Sequence, residues 1–345
     1  MVGKMSILVT GGAGYLGSHT VLTLLQAGHS VVVLDNFSNS SAVVLSRIAQ
    51  LAGRAPTFVR GDVRDGACLR NLFLKYPIQA VMHFAGLKSV AESARQPLNY
   101  YLNNVSGTLQ LCQAMAEFGI YRLVFSSSAT VYGDSNEMPL SEDSPTGVPT
   151  NPYGRSKLMV EELLQDLADA EGRWGIAVLR YFNPVGAHKS GFIGDDPNGT
   201  PNNLLPYISQ VAVGRLKALQ LFGNDYPTPD GTGVRDYIHV LDLAAGHLCA
   251  LEAVGRRSGL STWNLGTGRG YSVLEVISAF ERACGRKVDF VIVPRREGDV
   301  AQCWADPGKA FRELGWRAER GLDEMMADAW RWQLTNPDGY KESGV

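Results

Sequence analysis

Short runs of apolar residues punctuate the first half of the chain. SILVT (6–10), SVVVLD (30–35), PTFVRGD (56–62), AVMHFAG (80–86), RLVFSSS (122–128) and IAVLRYFN (176–183) each read as a strand. The runs are continuously apolar rather than alternating, as in strands covered on both faces. Between them lie stretches of helical length such as SHTVLTLLQAG and VSGTLQLCQAMAEFG. Strand–helix alternation predicts an α/β protein with a Rossmann-type doubly wound parallel sheet. After Asn183 the texture changes: PVGAHKSGFIGDDPNGTPNNLLP is rich in Gly, Pro, Asn and Asp and predicts loop. IHVLDLAAGHLCALEAV and TWNLGTG predict a helix and a strand that return to the first lobe. YSVLEVISAFERACG carries apolar residues at Val273, Val276, Ile277, Phe280 and Cys284, one face of a helix. The predicted organisation is a first lobe of residues 1–182 plus about 236–266, and a smaller α/β lobe of residues 183–235 and 267–345.

A chain of 345 residues is too long for one compact core, which supports two lobes. With 45% hydrophobic and 19% charged residues it has an ordinary globular composition. A net charge of −2 argues against a nucleic-acid partner, leaving only a local basic patch open. No apolar run approaches the ~20 residues of a membrane span, and the opening MVGKMSILVTGG runs into strand pattern rather than a signal peptide. The five cysteines (Cys68, Cys112, Cys249, Cys284, Cys303) are scattered without a CxxC pair, and the six histidines lack metal-ligand spacing. The expectation is a reduced cytoplasmic protein with no metal.

The segment VTGGAGYLGSHT sets Gly11, Gly12, Gly14 and Gly17 between a predicted strand and helix. Glycine permits the tight turn, lets backbone N–H groups approach a pyrophosphate, and lets the helix pack on the strand. The helix N-terminus then faces the anion. Asp35 ends the next strand, where a carboxylate accepts hydrogen bonds from both adenosine ribose hydroxyls and repels a 2′-phosphate. No Arg or Lys follows in DNFSNSS, so the pattern favours NAD over NADP. Asp62, at the next strand end, is either a contact near the adenine or a helix N-cap.

TNPYGRSKLM places Tyr153 four residues before Lys157, on one face of a predicted helix. A phenol titrates near pH 10, so to act as a base at neutrality it needs roughly 3 units of depression, about 4 kcal/mol. A neighbouring ammonium supplies part of that, and a cationic nicotinamide supplies more. The pair makes sense beside NAD: the phenolate removes a hydroxyl proton as the cofactor takes the hydrogen from the same carbon. FSSSATVYG ends a strand with Ser126, Ser127, Ser128 and Thr130, whose hydroxyls at the carboxyl edge of a parallel sheet point into the ligand crevice. Ser128 is the best candidate to bond the reacting hydroxyl and relay or orient its proton; the alternative is a solvated serine turn.

These residues, together with LDNFSNS, HFAGLKSVAES, LRYFNPVGAH, GTGVRDYIHV and PRREGD, resemble the extended short-chain dehydrogenase/reductases. Within that superfamily the chain is similar to the UDP-glucose 4-epimerase family, over about residues 6–335. The glycine turn and YxxxK mark only the superfamily; RYFNPVGAH, GVRDYIHV and PRREGD are more specific. The resemblance implies retained NAD, oxidation of a UDP-hexose at C4 to a ketone, and return of the hydrogen to the other face. It implies Tyr153 as base and acid, Lys157 as its electrostatic partner and nicotinamide-ribose anchor, and Ser128 as the hydroxyl binder. Along the NAD cleft it implies Gly11, Gly14, Tyr15, Leu16 and Gly17, then Asp35, Asn36, Asn39 and Ser40, then Asp62 and Val63. Phe84, Ala85, Gly86, Lys88, Asn103, Ser126, Tyr181 and Phe182 continue that wall.

The resemblance implies that the smaller α/β lobe, residues 183–235 and 267–345, is substrate-binding. For the sugar nucleotide it implies Lys88, Asn183, Asn203 and Leu204 at the sugar and phosphates, Phe222 over the uracil, and Asp299 on its ribose. Arg235 and Arg296 suit a diphosphate on chemical grounds as well, since a guanidinium binds phosphate oxygens bidentately. Without the resemblance each is as readily a surface charge. Cys303 falls where the family carries either a bulky tyrosine or a small residue, the small version going with acceptance of N-acetylated sugars. Cys303 therefore implies turnover of UDP-GlcNAc and UDP-GalNAc, unless the thiol merely packs and a neighbour fills the gap. A homodimer is implied through helices near 100–118 and 154–170. Two rivals stand. One is a nucleotide-sugar 4,6-dehydratase, which needs an acid–base pair where this chain reads SSATVYG, with no carboxylate before Asp134. The other is a non-catalytic NAD-sensing regulator that kept only the fold.

Overall fold

A computed structural model describes residues 4–134, 137–147, 149–199, 201–296 and 298–340. Glu297 of PRREGD and the outermost residues of both expected lobes lie outside the described residues. The first lobe alternates β1 (Ser6–Thr10), α1 (Tyr15–Gln26), β2 (Ser30–Asp35), α2 (Val43–Ala52), β3 (Thr57–Arg60), α3 (Gly66–Lys75) and β4 (Ala80–His83). It continues through α4 (Val90–Arg95), α5 (Pro97–Tyr100), a π-helical stretch (Tyr101–Ser106), α6 (Gly107–Glu117), β5 (Arg122–Ser128), α7 (Pro152–Ala170) and β6 (Gly175–Tyr181). The rest of the chain carries β7 (Asn183–Val185), α8 (Leu204–Ala212), β8 (Leu219–Phe222), β9 (Val234–His239), α9 (Val240–Val254) and β10 (Gly259–Leu265). It closes with β11 (Gly270–Ser272), α10 (Val273–Cys284), β12 (Phe290–Val293), β13 (Gln302–Cys303), α11 (Gly308–Leu314) and α12 (Leu322–Thr335).

The large sheet is parallel throughout, in the order β10-β6-β5-β4-β1-β2-β3. Continuous apolarity follows from its coverage. Ile7 and Val9 enter the core on one face while Leu8 enters the core on the other, and Val31, Val32 and Val33 alternate likewise. The chain leaves β1 towards β2 and β3, then crosses back to build β4, β5 and β6. That reversal opens a crevice at the carboxyl ends of β1 and β4.

Three expected strands overshoot their observed ends. β3 stops at Arg60, β4 at His83 and β6 at Tyr181. Gly61–Asp62, Phe84–Gly86 and Phe182–Asn183 instead line the crevice; their apolar members floor a ligand cavity rather than continue a ladder. The expected return to the first lobe begins one element late. Asp236–His239 belong to β9, which pairs with β11, β13 and β7 in the small sheet, whereas α9 packs on α1 and β10 completes the large one. The second lobe has its own core, in which Phe280 of α10 meets Trp330 of α12 edge to face at 5.8 Å. Ser272 and Glu275 form a capping box that starts α10.

Candidate active site

The glycine turn joins β1 to α1. Helix α1 begins without a capping side chain or an acidic residue in its first turn, which leaves its first N–H groups for an anion. No larger residue fits here. A Cβ on Gly17 would lie 2.2 Å from the Gly11 carbonyl oxygen, and one on Gly11 (φ +68°) 2.7 Å from the Ala85 nitrogen. This cradle fits a pyrophosphate. Gly12 serves packing instead, its Cα facing Val33. Asp35 accepts from the Ala13 N–H at 3.0 Å, the Phe37 N–H at 2.9 Å and the Ser40 hydroxyl at 2.8 Å, which pins the β2 loop beside the turn. Arg60 pairs in register with Asp35, but its guanidinium lies over the Phe37 ring at 5.9 Å. Asp62 is not a helix cap: Asp65 caps α3. The Arg64 guanidinium beside it, with the Asn36 amide, holds the Asp62 carboxyl well below the usual range.

Asn151 caps α7 through the Gly154 N–H at 2.9 Å, and Pro152 occupies the first turn. This start presents Tyr153 and Lys157 on the inward face. Lys157 is buried and Tyr153 half-buried, but the ammonium does not reach for the phenol. It donates to the Ser126 carbonyl at 2.7 Å and stands over the Phe125 ring at 4.8 Å. Burial raises the Tyr153 pKa, with the Ser128 hydroxyl opposing. Burial also lowers Lys157 to about 8, Glu161 opposing. Lys157 therefore carries charge below about pH 8 and loses it as the pH rises through that value.

One expected crevice hydroxyl faces elsewhere. Successive side chains on a strand point to opposite faces, so Ser126 and Ser128 face the crevice while Ser127 donates to Glu161 behind the sheet. Ser126 meets the Tyr181 hydroxyl. Lys88 stands over the Tyr15 ring at 5.9 Å, and Asn103 sits on the π-helical stretch.

The crevice continues without interruption into the second lobe as a cavity of about 1240 Å³. Every cofactor- and substrate-contact residue expected from the resemblance lines it, from Gly11 through Tyr153 to Asp299 and Cys303. Arg235 of β9 is anchored by the carbonyls of Val234 (2.8 Å) and Val300 (2.7 Å) and by the Asp299 carboxylate. The Arg296 guanidinium lies over the Phe222 ring at 4.3 Å. Helix α8 follows Asn203 without a side-chain cap, so a second open helix N-terminus faces the cavity. Cys303 pairs in register with Arg235, and burial pushes its thiol up to about 11. Tyr226 and Tyr237 also line this end and were missed. Tyr237 was legible, because it lies two residues beyond Arg235 on one strand and shares its face.

A sequence model described as the NAD dependent epimerase/dehydratase family matches residues 7–266. The chain belongs to this family. Among curated relatives of this epimerase/dehydratase, the UDP-glucose 4-epimerase of Bacillus subtilis is 58% identical over 339 residues, covering 98% of this chain and 100% of that one. The mouse UDP-glucose 4-epimerase is 56% identical over 340 residues, covering 97% and 98%. The crystal structure of UDP-glucose 4-epimerase from Bifidobacterium longum, in complex with NAD+ and UDP, superposes with a TM-score of 0.95 at 51% identity, over 97% of this chain and 99% of that one. The UDP-Glc/GlcNAc 4-epimerase of Campylobacter jejuni superposes with a TM-score of 0.83 at 37% identity, over 96% and 100%.

Proposed function

We infer that the protein is a UDP-glucose 4-epimerase, an NAD-dependent isomerase that interconverts UDP-glucose and UDP-galactose. The observation that carries this reading is the continuity of one cavity. It runs from the uncapped N-terminus of α1, past Tyr153 and Ser128, to the two guanidinium groups of the second lobe. A dinucleotide and a sugar nucleotide thus meet at the phenol. NAD, which the glycine turn and Asp35 would hold, would supply reversible hydride transfer at C4. Tyr153 takes the O4 proton and gives it back, Ser128 bonds that oxygen, and Lys157 holds positive charge beneath the site. Asp35 holds the adenosine ribose. Arg235 and Arg296 bind the diphosphate while Phe222 covers the uracil. The dehydratase reading lacks its acid: Ala129, Thr130 and Val131 follow Ser128, and none carries a carboxylate. Purified protein, given each of four UDP-sugars and no added NAD, is expected to yield the C4 epimer and no keto-deoxy sugar.

Cys303 extends the substrate range to UDP-GlcNAc and UDP-GalNAc in this reading. The thiol lines the cavity beside Arg235 and leaves the volume a phenol ring would fill. Cys303→Tyr is expected to lower kcat/KM for the acetamido pair by at least about tenfold, from overpacking alone, and to spare the glucose pair. Equal loss on both pairs would remove Cys303 as the selecting residue.

The protein is further proposed to be a cytoplasmic homodimer. All five cysteines are free, as a reducing compartment requires, and among the described residues no helix is long and apolar enough to cross a membrane. Leu98, Leu102, Leu109 and Met159 are exposed on α5, the π-helical stretch, α6 and α7. A second copy related by a two-fold axis would bury them in a four-helix bundle. Sedimentation is expected to give a dimer at micromolar concentration, and Leu98→Glu with Leu102→Glu a monomer.

A further inference from the structure

β5 ends at Ser128 in extended backbone, and the chain turns at once through Ala129 to Tyr132. In that turn Thr130 bonds back to Ser128 twice. Its N–H donates to Ser128 Oγ at 3.2 Å and its hydroxyl donates to the same oxygen at 3.0 Å. A serine hydroxyl has two acceptor positions and one proton. Thr130 fills both acceptor positions, so only the proton is left for the cavity.

Thr130 has little room to withdraw. A Cβ on Gly154 would lie 3.2 Å from both the Thr130 Cβ and its carbonyl oxygen, and 3.0 Å from Pro149 Cβ. Thr130 is therefore wedged between the strand end and the first turn of α7, next to Tyr153. Two nearby groups are committed elsewhere: the Tyr181 hydroxyl of β6 meets Ser126 Oγ, and the Lys157 ammonium bonds the Ser126 carbonyl.

We propose that Thr130 is a positioning residue that holds Ser128 as a hydrogen-bond donor only, so that the proton leaving the sugar O4 passes directly to Tyr153 and not through Ser128. In the oxidising step the O4–H bond breaks and the Tyr153 O–H bond forms. The C4–H electron pair leaves with its hydrogen to the bound cofactor, and C4=O results. The Ser128 O–H bond stays intact, donating first to the hydroxyl oxygen and then to the carbonyl oxygen. The reducing step reverses each change. This inference rests on the epimerase reading above.

The test uses NAD-loaded protein carrying Thr130→Val, which keeps shape and removes the hydroxyl, and Thr130→Ser, which restores it. Tyr153 is titrated without sugar by ultraviolet difference spectroscopy, its signal being the one lost in Tyr153→Phe. With one acceptor position freed, the Ser128 proton is no longer confined to the cavity. Thr130→Val is then expected to move the Tyr153 midpoint up by about half a pH unit or more. It is expected to lower kcat about tenfold with KM little changed, and Thr130→Ser to recover both. Should Thr130→Val not fold, Thr130→Ala carries the same expectation. A valine variant that titrates and turns over like the parent overturns the proposal, as does a serine variant as impaired as valine. Neither touches the epimerase reading, which fails separately if Tyr153→Phe retains full turnover.

Discussion

Tyr153→Phe is expected to lower kcat by about three orders of magnitude, near the middle of the range for a positioned acid–base group, while UDP affinity stays within about threefold because UDP lacks the sugar O4 that the phenol bonds. The size follows from the resting state of the phenol. Burial raises the Tyr153 pKa and Ser128 only partly opposes it, so the ligand-free chain holds a protonated phenol at neutral pH. Lys157 lies on the same helix face and gives one of its three N–H groups to the Ser126 carbonyl. The depression has to come from the Lys157 charge together with the cationic nicotinamide. Sugar turnover by the parent should accordingly weaken as pH rises through about 8, where Lys157 loses its charge. Single-turnover kinetics across pH, with UDP binding measured in parallel, checks both parts. A phenol that ionises only in strong alkali with NAD bound would remove Tyr153 as the base.

Glu161→Ala is expected to cost about 3–5 kcal/mol of stability, the usual penalty for leaving a buried charge without its partner. Arg180 donates to Glu161 through Nε at 3.1 Å and through Nη2 at 2.6 Å, and both side chains are less than a tenth exposed. Ser127 donates to the same carboxylate, and the guanidinium lies over the Tyr132 ring at 4.9 Å. The cluster clamps β5, β6 and α7 together directly behind the Ser128–Tyr153 face. Glu161→Met combined with Arg180→Met removes both charges and should recover most of the loss. Chemical denaturation of Glu161→Met, Arg180→Met and the double variant measures the coupling. A double variant no better than Glu161→Ala would show that packing, rather than charge, sets the cost.

Most of this architecture could be read before any coordinates, for definable reasons. Two-sided burial writes itself as unbroken apolar runs, and a phosphate turn leaves no alternative to glycine at Gly11 and Gly17. What was illegible depends on direction. Apolar continuity does not distinguish Val81, inside the ladder, from Phe84, on the cavity floor. Residues 236–239 look like the lead-in to α9, yet they pair with β7 and β11, because pairing partners far along the chain leave no local trace. Spacing placed Lys157 on the face of Tyr153; only the carbonyl of Ser126 decides where its ammonium points. Ser127 was recoverable from strand alternation alone. Tyr226 carried no signal, since it lies in a loop held by Arg295, whose guanidinium stands over its ring at 4.2 Å from far along the chain.

The order of strands also bears on how the protein is born. β10 supplies the edge neighbour of β6, and it lies at Gly259–Leu265, after β7, β8 and β9 have been laid down elsewhere. A nascent chain emerging from the ribosome must therefore expose the outer ladder of β6 until Leu265 has cleared the exit tunnel. An unsatisfied strand edge of this kind invites pairing with other chains. Pausing translation upstream of residue 259 would prolong that hazard, and pausing it beyond the clearance of Leu265 would not.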